Sequence, residues 1–203
     1  MNHTGTSPVP VVFFGTAEFA VPAQQKLHGD PRILVRAVDR PRGRGRSQAP
    51  TPVKSVAQSL GLDVFQPERI RSQRFLESLD AIRPAFFVVA AYGRILPPVL
   101  LKVPRLGPIN IHSSLLPEYR GAAPIQRALM DGRTLTGVTT MLMAPELDAG
   151  DILLQRSYRI GPDDNSETVT RALAALGADL MIRTLSGLMA GDIQAVPQDH
   201  ARA

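Results

Sequence analysis

The sequence predicts an α/β fold: a mostly parallel, twisted sheet with helices on both faces. Short apolar runs are the first sign, at Val11-Val12-Phe13-Phe14 before Gly15 and from Phe86 to Ala91 before Gly93. Positions that are apolar without alternation suit strands buried on both faces, as parallel strands are. Stretches with helical spacing separate these runs. The opening strand–helix–strand order is the unit from which doubly wound sheets are built.

The elements follow in order. Residues 1–10, MNHTGTSPVP, read as a disordered lead-in to a domain over 11–199. Thr16 is placed to cap a helix whose apolar positions are Phe19, Val21, Ala23 and Leu27. Ile33–Val38 reads as the second strand. Residues 39–52 are polar and basic, with Pro41, Gly43, Gly45, Pro50 and Pro52, a loop by composition. A helix is predicted over 52–60, with Gly61 at its end. Then come a short strand over 63–66, a helix over 71–82 and the strand at 86–91. The chain breaks at Tyr92-Gly93 and passes through Pro97-Pro98. Residues 108–112 are short and apolar up to a polar end, 122–130 are helical, and 137–143 are β-rich. Asp164 and Glu167 have capping-box spacing. Val169, Leu173 and Leu176 continue a helix that Gly177 interrupts, and a second helix runs on to Met189.

Composition narrows the function classes. The chain has 203 residues, 44% of them hydrophobic and 20% charged, enough for one domain with a real core. It has no cysteine, so disulfides and thiolate sites are excluded, and the count fits a reducing cytoplasm. No run of about 18 apolar residues suggests a membrane span, and the N-terminus lacks a secretory pattern. The formal net charge is +5, with Arg32, Arg36, Arg40, Arg42, Arg44 and Arg46 clustered. Such a cluster either attracts a polyanion such as nucleic acid or pairs with acids elsewhere. The turn Gly15-Thr16-Ala17-Glu18-Phe19-Ala20 lacks G-x-G-x-x-G spacing, which argues against a nicotinamide enzyme.

Candidate chemistry gathers in two places. Along a strand, Asn110 and His112 point to one face. They stand at its carboxyl end, where open α/β sheets bind ligands. An amide beside an imidazole can stabilise an oxyanion and move protons. The motif alone is short and common, and by itself reads better as a histidine capping the next loop. The second place is Leu147-Asp148-Ala149-Gly150-Asp151. One carboxylate there could orient His112, or both could bond local backbone amides. The sequence leaves these two readings open.

Larger blocks carry a resemblance. They are Asn110-Ile111-His112-Ser113-Ser114-Leu115-Leu116-Pro117-Glu118-Tyr119-Arg120-Gly121-Ala122-Ala123-Pro124-Ile125, then Thr136-Gly137-Val138-Thr139-Thr140-Met141, then Leu147 to Asp151. Together with Gly15-Thr16 and Ala91-Tyr92-Gly93-Arg94-Ile95-Leu96-Pro97, this pattern resembles the formyltransferases that use 10-formyltetrahydrofolate. The basic loop Asp39-Arg40-Pro41-Arg42-Gly43-Arg44-Gly45 is similar to that of the branch acting on methionyl-tRNA. The resemblance covers about residues 11–199 and implies a Rossmann-like formyltransferase fold.

By that resemblance, Asn110, His112 and Asp148 are the catalytic set. Ser114, Leu115, Leu116 and Pro117 line the folate pocket, joined by residues 90–95. Arg40, Arg42 and Arg44 contact tRNA. The implied donor is 10-formyltetrahydrofolate, with no metal, and the implied acceptor is methionyl-tRNA; a small amine such as an amino sugar is the alternative. A non-catalytic folate- or RNA-binding remnant is a further alternative. The implied setting is a cytoplasmic monomer without membrane association. The chain departs from the pattern in three ways. The stretch from Val35 to Asp39 is short, Ala17 replaces a usual proline, and the family's β-rich tRNA-binding domain is expected to be missing after residue 199.

Overall fold

The computed structural model describes residues 7–39 and 50–203. Seven strands form one sheet in the order β3-β2-β1-β4-β5-β6-β7. They are β1 (Val9–Gly15), β2 (Ile33–Val38), β3 (Val64–Phe65), β4 (Phe86–Ala90), β5 (Gly107–His112), β6 (Leu135–Leu142) and β7 (Ile152–Arg159). The first five are parallel, and β6 and β7 run antiparallel to their neighbours. Strand order reverses between β1 and β4, the kind of position at whose carboxyl ends open α/β sheets bind ligands, and β5 adjoins it.

Both faces are covered. Val11 and Phe13 of β1, Val88 of β4, and Ile109 and Ile111 of β5 pack against α1 (Val21–Gly29) and α6 (Ser166–Ala190). Val53 of α2 (Pro52–Ser59) joins that cluster. On the opposite face Val12, Phe14, Phe87 and Val89 meet α3 (Gln73–Ile82) through Phe75 and Leu79, and α4 (Pro98–Leu101) through Leu100. The doubly covered strands β1 and β4 are the uninterrupted apolar runs of the sequence. One further short helix, α5 (Pro124–Met130), follows the loop after β5.

Several local expectations shift. β1 starts at Val9, ahead of the apolar run. Thr16 does not cap a helix: its hydroxyl donates to the Tyr92 carbonyl at 3.1 Å, tying the loops after β1 and β4 together. A 3₁₀ turn, Glu18–Ala20, precedes α1 instead. The capping box lies one residue later than the Asp164–Glu167 spacing suggests. Asn165 accepts from the amides of Glu167 and Thr168, and the Thr168 hydroxyl accepts from the Asn165 amide at 2.9 Å. Gly177 does not interrupt anything; α6 is a single helix of 25 residues. By length and composition alone α6 could cross a membrane, with a mean hydropathy of 1.3. It lies along the sheet, with Leu173, Ala178, Met181 and Leu185 buried. No separate strand was expected at β7, whose middle residues Gln155, Arg156 and Ser157 are exposed at the sheet edge.

Of the arginine cluster, Arg32 pairs with Asp30 at 2.6 Å and Arg36 with Asp63 at 3.0 Å. Arg40, Arg42, Arg44 and Arg46 lie outside the described residues.

Candidate active site

β5 carries two of the three expected catalytic side chains. Ile109 and Ile111 turn toward α6, so Asn110 and His112 turn to the other face. Asn110 is half-buried at the register of Val89 and Met141, and its side chain bonds no described residue. His112 is only 6% exposed. Its Nε2 lies 3.0 Å from the Tyr119 carbonyl oxygen. A carbonyl only accepts, so Nε2 carries the hydrogen and the ring is held with Nδ1 facing outward from that contact.

Nδ1 faces Asp148. The separation to Oδ2 is 3.6 Å, close enough for charge attraction but longer than a hydrogen bond. Asp148 comes from the turn after β6, with a positive φ of 50°. Its Oδ2 also accepts from the Gly121 amide at 2.9 Å. The turn fits only with glycine at 150, where a β-carbon would lie 1.9 Å from the Leu142 carbonyl oxygen. Features of both readings left open for this turn meet at Asp148: its carboxylate faces His112 and also accepts from a backbone amide.

The loop after β5 is pinned over β6 and β7. Thr139 donates to the Ser114 carbonyl at 2.7 Å and accepts from the Leu116 amide at 3.1 Å. Gln155 donates to the Leu116 carbonyl at 2.8 Å. Ser114 spends its hydroxyl on the Glu118 carbonyl at 2.6 Å, and a cis bond joins Leu116 to Pro117. Ser114, Leu116 and Pro117 are buried, and Leu115 is half-buried. Leu115 reaches over Gly137, where a β-carbon would come within 2.5 Å of its Cδ2.

Three groups escaped the sequence reading: the Tyr119 carbonyl, the Gly121 amide and Gln198. The first two are backbone groups with no side-chain signature. Gln198 stands at the very end of the span of resemblance, in no motif that marks it. Among the described residues no cluster of three or more His, Asp or Glu is placed to hold a metal. Two surface clefts of about 680 and 560 Å³ are lined by neither His112 nor Asp148.

An amide and an imidazole at the carboxyl end of a parallel strand, with a carboxylate brought to them from a distant turn, is a set suited to acyl transfer. The family comparison agrees, with a formyl transferase model matching residues 11–185. The chain belongs to the formyl transferase family. Among curated relatives, methionyl-tRNA formyltransferase of Synechocystis sp. is 50% identical over 197 residues, covering 95% of this chain and 60% of that protein. The same enzyme of Koribacter versatilis is 49% identical over 195 residues, covering 94% and 62%. This family member thus spans about three fifths of the length of the curated relatives it matches. Among solved structures, glycinamide ribonucleotide transformylase 1 from Symbiobacterium toebii superposes with a TM-score of 0.79 at 18% identity, covering 97% of this chain and 98% of that one. At that identity the likeness speaks for the fold.

Proposed function

We propose that this chain transfers a formyl group from 10-formyltetrahydrofolate to the α-amine of methionyl-tRNA. The observation that carries the reading is Nδ1 of His112 facing the Asp148 carboxylate at 3.6 Å, beside Asn110 at the ligand-binding edge of the sheet. In the reaction the amine attacks the formyl carbon, forming a C–N bond and an oxyanion. The Asn110 amide and a protonated His112, whose Nδ1 then carries a hydrogen as well as Nε2, donate to that oxyanion. Collapse breaks the bond from the formyl carbon to N10. The proton lost by the amine passes to N10 with help from Asp148, which also holds the imidazole. The segment Ser114-Leu115-Leu116-Pro117 forms the folate-side wall, through its backbone and Leu115 since the Ser114 hydroxyl is already engaged. Arg40, Arg42 and Arg44 hold the tRNA. The reaction belongs in the cytoplasm, and the chain acts as a monomer.

Identity near one half over almost the whole chain supports methionyl-tRNA as acceptor over a small amine. The fold does not choose between them, because a glycinamide ribonucleotide transformylase shares it. The test is formyl transfer to methionyl-tRNA and to small amines, by wild type and by His112→Ala. Wild type should formylate the tRNA, and the variant should lose about 10²–10³ in kcat, as for removal of one oxyanion donor. Equal rates for wild type and variant would end the reading.

A further inference from the structure

Gln198 lies beyond the span matched by the family model, which ends at residue 185. It is nevertheless only 5% exposed. Its segment is fastened to β7 by paired backbone bonds between Ile152 and Val196, at 2.8 and 2.9 Å. From there its amide reaches the catalytic turn. Nε2 donates to the Asp148 carbonyl at 2.9 Å and to the Gly150 carbonyl at 2.7 Å. Oε1 accepts from Arg120 twice, from Nε at 3.0 Å and from a terminal nitrogen at 2.7 Å. The full donor and acceptor capacity of the side chain is spent.

These bonds bridge two loops that meet at one carboxylate. Asp148 and Gly150 belong to the turn after β6. Arg120 immediately precedes Gly121, whose amide bonds Asp148 Oδ2 at 2.9 Å. Asp148 holds a left-handed backbone conformation, φ 50°, uncommon outside glycine though tolerated by aspartate better than by most residues. The backbone of Asp148 is gripped from one side by Gln198, and its carboxylate from the other by the loop that Gln198 and Arg120 fix. A small rotation of this turn would lengthen the 3.6 Å approach to His112.

We propose that Gln198 is a positioning residue for Asp148, setting the carboxylate's distance from His112 without touching substrate. The proposal rests on the catalytic reading of Asp148 given above. A merely structural glutamine would lower the melting temperature and leave turnover of the folded protein alone. A positioning glutamine lowers kcat at an unchanged KM for the formyl donor, and only while Asp148 is present.

The discriminating variant is Gln198→Glu. It keeps the size and the acceptor for Arg120, but removes both N–H donors and sets lone pairs against two carbonyl oxygens. Gln198→Met, neutral and of similar volume, repeats the comparison without a new charge. Formyl transfer to methionyl-tRNA is measured for both, alone and combined with Asp148→Asn, beside thermal melts. The expected result is a kcat lower by about ten- to a hundredfold, the scale for a catalytic group misplaced by about 1 Å. The donor KM should stay within about twofold, and no further loss should occur in the Asp148→Asn background, because the two changes act through one group. A folded Gln198→Met with wild-type kcat, or losses that multiply with those of Asp148→Asn, overturns the assignment while the catalytic reading stands. A fully active Asp148→Asn removes that reading, and this assignment falls with it.

Discussion

An ideal β-carbon on Gly177 would lie 2.8 Å from Cγ2 of Ile111 and 3.2 Å from Cγ2 of Val138. Ile111 stands between Asn110 and His112 on β5, so the helix approaches the very strand that carries those two side chains. Two effects compete when Gly177 becomes alanine. Helix propensity favours alanine by about 1 kcal/mol. Overpacking a buried contact costs about 1–3 kcal/mol. Ile111 is β-branched and held in a sheet, so it cannot swing aside cheaply. Gly177→Ala should therefore lower stability in a denaturant titration, by up to about 2 kcal/mol from the difference of those two ranges. A more stable variant would mean that propensity outweighs the contact. The same residue shows what one sequence can hide. A glycine amid helical spacing reads as a break, because a close approach between elements leaves no local trace. That Asn110 and His112 share a face of β5 was legible from alternation, while a role for them was readable only from the larger blocks around them. Asp148 was visible as a carboxylate in a small-residue turn, but its meeting with His112 depends on Gly121 and Gln198, far away in sequence.

At the scale of elements, the strands buried on both faces were the readable ones, since burial leaves only apolar residues in β1 and β4. The edge strand β7 was not, because solvent accepts polar residues at Gln155, Arg156 and Ser157. The start of α6 was readable to within one residue. Asp164 does not cap the helix; it organises the turn that delivers β7 into it. Its carboxylate accepts from the Gly161 amide at 2.9 Å, the Thr168 hydroxyl at 2.7 Å and the Tyr158 hydroxyl at 2.9 Å. These bonds hold its carboxyl below the usual carboxylate range, the Gly161 amide most, then Thr168, then Tyr158. The folded chain thus binds this proton less tightly than the unfolded chain does. The resulting stabilisation is complete above the unfolded value, about pH 4. It is lost as pH falls through the lower folded value. Asp164→Asn should lower the Tm at pH 7, and the gap to wild type should narrow on acidifying below about pH 4. A gap that stays constant down to pH 2 would show that shape, not charge, matters at this turn.

For the whole molecule, the question is how a net charge of +5 is used. On the described part of the arginine cluster, Arg32 and Arg36 have carboxylate partners. They are poor candidates for binding a polyanion. The case for tRNA contact therefore rests on Arg40, Arg42 and Arg44, named from the sequence pattern. Phosphate contacts raise affinity through counterion release, and each one lost flattens the salt dependence. The triple variant Arg40→Ala, Arg42→Ala, Arg44→Ala should raise the KM for methionyl-tRNA by tenfold or more, leaving kcat and the KM for the formyl donor near wild type. The slope of log affinity against log salt should become shallower by roughly 0.7–0.9 for each contact removed. Both readouts are needed, since a misfolded variant would lose kcat and donor affinity as well. If the tRNA KM and the salt slope stay unchanged while the enzyme remains active, the acceptor is held by other parts of the surface. The catalytic edge at β5 would then keep its role, and the arginine loop would be relieved of the one assigned to it.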